Sequence, residues 1–390
     1  MFSVDNFYYV LYKNLLEPTK FLASYFYPFG KTDANSLRLN WENNNFFHSE
    51  YGNIVLFYDQ EPLINDQLPV QNILPLHLNS NCKLLANSEK SLIKKQICKR
   101  DNYLDWYYFY HGFAALSWFN DFKYMPNVEH QFTKLFISLN RLHTNHRSYR
   151  LNLISEFVQR DLLKSGYVSF PSHNQDHGSW QNELVNEFTL LPKQKLNQIR
   201  QNLSSLSGPL IVDKQDLQGF LSADCGTSAL MMGQSAFWHV VGETIFYLDK
   251  LHLTEKIFKP ITVKRPFILV GAPGNLEYLK SYGFQTFSNW IDESYDSEID
   301  HDKRIMKVVD QIEKMSKLSQ SQLLDMHRDM KSVLQYNYEH FYNDFKNIII
   351  DELLNNFQTC IQIYNNGRTD DRYINLSNTD FQQLRTIFLR

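Results

Sequence analysis

The sequence predicts an α/β protein of two doubly wound, Rossmann-like domains facing a cleft, with a helical C-terminal segment. Three observations predict it. Short apolar runs alternate with helical stretches through most of the chain, the pattern of a parallel sheet covered by helices. The runs fall into two sets that split near residue 130. At 390 residues the chain exceeds what one hydrophobic core usually serves, so two domains are expected. The boundaries drawn are 1–130, 131–345 and a helical extension over 346–390.

Taken in order, "NIVLFYD" (53–59) and "CKLLANS" (82–88) are strand candidates, the second followed by the helical "EKSLIKKQICKR". "DWYYFYHG" (105–112) reads as a third strand, and "SWFNDFKYMPNVEHQ" (117–131) as a loop rich in breakers. "KLFISLN" (134–140) restarts the pattern. The amphipathic stretch 148–166 follows, with glycine past its end, and then the strand "GYVSF". Residues 171–235 are less regular. "FWHVVGET" (237–244), the helix opening at Thr254, "RPFILVG" and "SYGFQTF" complete the second set. From about Asp302 onward helical patterns dominate.

Composition narrows the function classes. With 43% hydrophobic and 21% charged residues the chain is globular rather than disordered. A formal net charge of -3 argues against a binder driven by phosphate neutralisation, though it leaves room for a local basic groove. Cys82, Cys98, Cys225 and Cys360 form no CxxC pair and read as reduced thiols of a cytoplasmic protein. The N-terminus is interrupted by Asp5, Lys13, Glu17 and Lys20, unlike a signal peptide. No uncharged apolar run approaches the ~18 residues of a membrane span.

The common phosphate-binding signatures are missing, with neither a GxxxxGK[ST] loop nor a GxGxxG after the first strand. "GAPG" (271–274) precedes a helix and reads as a tight turn. His143 with His146, and His173 with His177, read as surface-loop residues; acidic or thiol partners at ligand spacing are lacking, so no metal site is expected.

Three features point to chemistry. Asp59 and Glu61 in "YDQEPLI" follow a strand end, where ligands of open α/β sheets collect and a carboxylate can act as general base. In "ISLNRLHTNHRSYR" a strand ends at Asn140, and Arg141, Arg147 and Arg150 stand before a helix. Cations there oppose the helix dipole unless an anion sits among them, so they are candidates to hold a diphosphate. In the third, Glu243 of "GET" is followed by Thr254-Glu255-Lys256. Thr254 as N-cap and Glu255 beside the positive helix end are ordinary, whereas Lys256 in the first turn is not. A carboxylate for ribose hydroxyls and an ammonium for a phosphate oxygen would suit a nucleotide sugar.

In this order the elements "SLN…R", "GET" and "LTEKIFKPI…PFILVG" resemble the donor-binding half of the alpha-1,3-fucosyltransferases, as seen in viral and bacterial glycosyltransferase-like chains. The resemblance spans roughly residues 50 to 290, and Thr254-Glu255-Lys256 is its specific element. Leu139 separates Ser138 from Asn140, Gly242 and Thr244 replace the usual neighbours of Glu243, and His252 stands where the family has tyrosine. The resemblance implies a GT-B architecture and an inverting, metal-independent glycosyltransferase with no cofactor. Its donor would be a nucleoside-diphosphate sugar, a GDP-sugar by family habit. Arg147 and Lys256 would hold the diphosphate, with Asn140, Arg141, Glu243 and Thr254 in the same donor site. Glu255 would hold the ribose, and Glu61 in "DQEP" would be the base, with Asp59 its rival. The acceptor would be a glycan or another hydroxyl. A hydroxylated base in DNA is an alternative acceptor, and a catalytically inactive binding protein of the same fold is the reading from another class.

Overall fold

The computed structural model describes residues 10–16, 21–25, 53–58, 82–88, 90, 103–124, 132–140, 142–143, 145–170, 173–174, 178–184, 191–210, 212, 232–247, 250–367, 369 and 373–389. It is a mixed α/β chain that divides into two compact units: Met1–Ser117 together with Asp344–Arg390, and Trp118–Asn343.

In the first unit β1 (Phe21–Tyr25), β2 (Asn53–Tyr58), β3 (Cys82–Asn87) and β4 (Tyr103–Tyr107) form a parallel sheet in that spatial order. Among the described strands of this sheet the order runs in sequence without a reversal. The expected third strand lies two residues earlier, at β4, and "YHG" opens a helix, α1 (Tyr110–Trp118), instead. Its first six residues are buried, so an apolar run there is a buried helix rather than a strand. Part of the expected 117–131 loop is a 3₁₀ turn, Asn120–Tyr124.

The C-terminal tail is not an appendage. The helix α8 (Phe345–Asn365) packs on β4: Phe357 lies 4.9 Å from Trp106, whose indole N–H donates to the Leu353 carbonyl at 3.4 Å. Lys90 pairs with Glu352 at 2.6 Å, and Asn356 donates to the Tyr107 carbonyl at 2.8 Å. Burial of Trp106 among Phe57, Tyr108 and Phe357 makes α8 part of the first core.

The second unit holds β5 (Lys134–Ser138), β6 (Gly166–Val168), β7 (Ala236–Gly242) and β8 (Phe267–Val270), all parallel, in the spatial order β8-β7-β5-β6. β7 and β8 are buried throughout, the continuous apolar signature of strands covered on both faces. The chain moves from β5 to one neighbour, β6, and then returns to the other side with β7. The crevice beyond the carboxyl ends of β5 and β7 is therefore a topological switch point, where open α/β sheets bind their ligands.

Helices α2 (Tyr149–Gln159), α3 (Lys193–Ser204) and α6 (His301–Ser316) are tied by ion pairs. Lys195 reaches Glu156 at 2.6 Å and Asp302 at 3.0 Å, while Arg160 reaches Glu313 at 2.9 Å. α2 stops well short of Gly166 because Asp161 takes φ 52 and the Leu162 N–H closes back on the Phe157 carbonyl at 2.9 Å. The expected strand "SYGFQTF" is instead the end of α5 (Asn275–Ser281) and an irregular segment. Side chains replace the missing neighbour strand: Asn337 bonds both the N–H and the carbonyl of Gln285, at 2.8 and 2.9 Å, and Glu293 accepts from the Phe287 N–H at 2.7 Å.

Candidate functional site

The crevice is built from two strand ends. Ile137 pairs with His239, and carrying that register forward sets Asn140 level with Gly242. Asn140 is 1% exposed. Its backbone N–H donates to Ser169 Oγ at 2.7 Å, and its amide donates to the carbonyl and hydroxyl of Ser138 at 3.2 and 3.0 Å. The Ser138 carbonyl requires a donor and so fixes which amide atom is nitrogen. Asn140 Oδ1 then meets no donor among the described residues.

Beyond β7 the site tightens. Glu243 is fully buried, accepting from the Thr254 N–H at 3.2 Å and the Thr254 hydroxyl at 2.5 Å. Burial pushes the Glu243 carboxyl above the usual carboxylate range, against the opposing pull of Lys256 and the Thr254 bonds. Thr254 is the N-cap of the 3₁₀ turn Glu255–Ile257, which leads into the short helix α4 (Phe258–Thr262). Its oxygen accepts from the Lys256 backbone at 3.4 Å and from Lys256 Nζ at 3.0 Å. Lys256 also lies 3.3 Å from Glu255 and keeps 24% of its side chain exposed, whereas Glu255 keeps 5%. The structure thus joins Glu243, Thr254 and Lys256 by hydrogen bonds and Glu255 to them by an ion pair with Lys256. Glu243, expected to touch a donor, instead has both oxygens on Thr254.

Arg150 is corrected most. It is 4% exposed, and its guanidinium donates to the carbonyls of Leu142 at 2.7 Å, Gly242 at 2.9 Å and Glu243 at 3.5 Å. It is a clamp between the loop after β5 and the end of β7, not a diphosphate ligand. Tyr149 adds a bond to the Glu243 carbonyl at 2.7 Å. Gly242 permits this approach, since a Cβ there would lie 2.8 Å from Tyr149 Oη and 3.5 Å from Arg150 Nε. Sequence reasoning missed Tyr149 and the role of Gly242. One signal was available: "YRLNLISEF" leaves α2 almost no charged face, so a cation in it has to be internal.

Arg147 is half-buried at the end of the 3₁₀ turn Asn145–Arg147, directly before α2. The Ser148 side chain gives α2 no cap; its hydroxyl meets Tyr247 Oη at 3.1 Å. His143 and His146 are buried at 1% and 6% exposure, correcting the surface-loop expectation. Burial, then the charges of Arg147 and Arg150, hold His146 down to about 2.

That burial has a pH signature. Below the ordinary pKa of 6.5 the unfolded chain takes up a proton that folded His146 refuses, so stability is lost as pH falls from 6.5 toward about 2. The slope is at most ~1.4 kcal/mol per pH unit. Urea midpoints at a series of pH values should therefore fall less steeply for His146→Gln than for the parent; equal slopes would refute the buried neutral state.

The turn reading of "GAPG" holds. Gly274 takes φ 80, and Asp296 supplies the carboxylate at the start of α5, accepting from the Leu276 N–H at 2.9 Å and the Glu277 N–H at 3.4 Å. Arg141, Asp59 and Glu61 lie outside the described residues. Among the described residues no helix is long and apolar enough to cross a membrane. Comparison of the chain with protein-family models, with curated proteins and with solved structures finds no match.

Proposed function

We propose that this chain is a GT-B-like glycosyltransferase moving a sugar from a nucleoside-diphosphate donor, a GDP-sugar by the resemblance, to an acceptor hydroxyl. The observation that carries the reading is the setting of Lys256. A partly exposed ammonium is held on Thr254 and beside Glu255 at the carboxyl end of β7, next to the strand-order reversal. Arg147 and the uncapped start of α2 stand beyond the neighbouring strand and add positive potential suited to a diphosphate. Asn140, level with Gly242 at the end of β5, offers a buried acceptor.

In the proposed reaction the acceptor oxygen bonds to the anomeric carbon while the bond from that carbon to the diphosphate oxygen breaks. The electron pair leaves with the diphosphate, and Lys256 and Arg147 stabilise the developing charge. The acceptor proton passes to Glu61, with Asp59 its rival. A single displacement inverts the anomeric centre.

Calorimetry with guanosine and uridine diphosphates tests the donor site. Lys256→Ala and Arg147→Ala should each weaken binding by ~1.5–3 kcal/mol, the worth of one charge-assisted bond. Unchanged affinity in both variants removes the assignment. Because these side chains supply the countercharge, turnover should persist in EDTA; loss of activity restored by Mn²⁺ would overturn the metal-free route.

A further inference from the structure

We infer that Glu243 and Thr254 are positioning residues that act through Lys256 and do not touch the donor. The inference rests on the donor-site reading and reassigns two of its members. An ammonium only donates, so the Thr254 oxygen meets Lys256 Nζ with a lone pair, while the Glu243 oxygens lie 3.2 Å from the Thr254 N–H and 2.5 Å from its hydroxyl. The single hydroxyl proton of Thr254 is thereby committed to Glu243. Its lone pairs are left for Lys256, which occupies them with its backbone N–H at 3.4 Å and its ammonium at 3.0 Å. The polarity of the whole chain is set by one buried acid, 0% exposed. Without that acid the Thr254 hydroxyl is free to turn its proton toward the ammonium, a donor facing a donor.

Glu243→Gln is the sharp test because it keeps the shape and offers only one accepting oxygen where Thr254 presents two donors. Thr254→Val keeps the β-branch and removes the hydroxyl, while Thr254→Ser keeps the hydroxyl. Affinity for guanosine and uridine diphosphates, measured by calorimetry on the full chain, is the readout.

Glu243→Gln and Thr254→Val should each weaken binding about five- to twentyfold, and Thr254→Ser should stay within about twofold of the parent. In a Lys256→Ala background neither substitution should weaken binding further by more than about twofold, because the residue they act through is gone. If Glu243→Gln does not fold, the Thr254→Val and Thr254→Ser pair carries the test alone. Parent-like binding by Thr254→Val overturns the relay, as does an equal loss with and without Lys256. Failure of the parent chain to bind either diphosphate overturns the donor-site reading, and the relay with it. Binding by the parent with additive losses overturns the relay only.

Discussion

Arg150→Ala is expected to destabilise the second unit by about 3–5 kcal/mol, a large fraction of the ~5–15 kcal/mol that holds a domain folded. The guanidinium is buried and donates to carbonyls of Leu142, Gly242 and Glu243. Its removal takes the donor from the Leu142 and Gly242 carbonyls, while Glu243 keeps its bond from Tyr149, and each unsatisfied buried group costs about 1–3 kcal/mol. It also releases the loop after β5 from the end of β7. Arg150→Lys should recover only part of the loss, since a point ammonium cannot span the acceptors that a planar fork reaches. Chemical denaturation of the full chain, followed by the aromatic signal of the second unit, measures the effect. An unmoved midpoint for Arg150→Ala would show that the clamp carries no weight.

Glu61→Gln should lower kcat by about 10²–10⁴ while leaving donor affinity nearly intact, the behaviour of a general base lost from an otherwise whole site. The motivation is positional. β2 ends at Tyr58, and Glu61 follows its carboxyl end in the unit that does not hold Lys256. Asp59 is two residues away and, on extended chain, shares its side. Steady-state kinetics of Asp59→Asn beside Glu61→Gln separates them. If only Asp59→Asn is inactive the role moves to Asp59, and full activity in both removes the base from this segment.

What could be read from the sequence follows from where the information sits. β2, β3, β5, β7 and β8 appear within a residue or two of their expected places, because a buried strand is a local apolar run. Thr254 as an N-cap was equally legible, a short-range matter of one hydroxyl and the amide two residues on. Charged residues were less so. Arg147 and Arg150 stand three apart before and within one helix, alike in sequence. What separates them is the end of a distant strand whose glycine lets one guanidinium reach the backbone. Glu243 was misread for the same reason, since a carboxylate looks available until its partner eleven residues away is known. "SYGFQTF" carries strand composition, but side chains of Asn337 and Glu293 answer its backbone groups. No local pattern announces that.

The return of α8 to β4 has a consequence for how the protein is made. The bond from Trp106 to Leu353 joins residues 247 apart, and the whole second unit is synthesised between them. At ~5–20 residues per second a ribosome takes roughly 10–50 s to cover that distance. Through that interval the first sheet lacks the helix that covers Trp106, while from Val270 onward the second unit has all its described strands. The later half of the polypeptide is therefore expected to reach its native state first on the ribosome. The earlier half waits with an aromatic surface uncovered, and that nascent interval is where chaperone dependence and aggregation of this chain should concentrate.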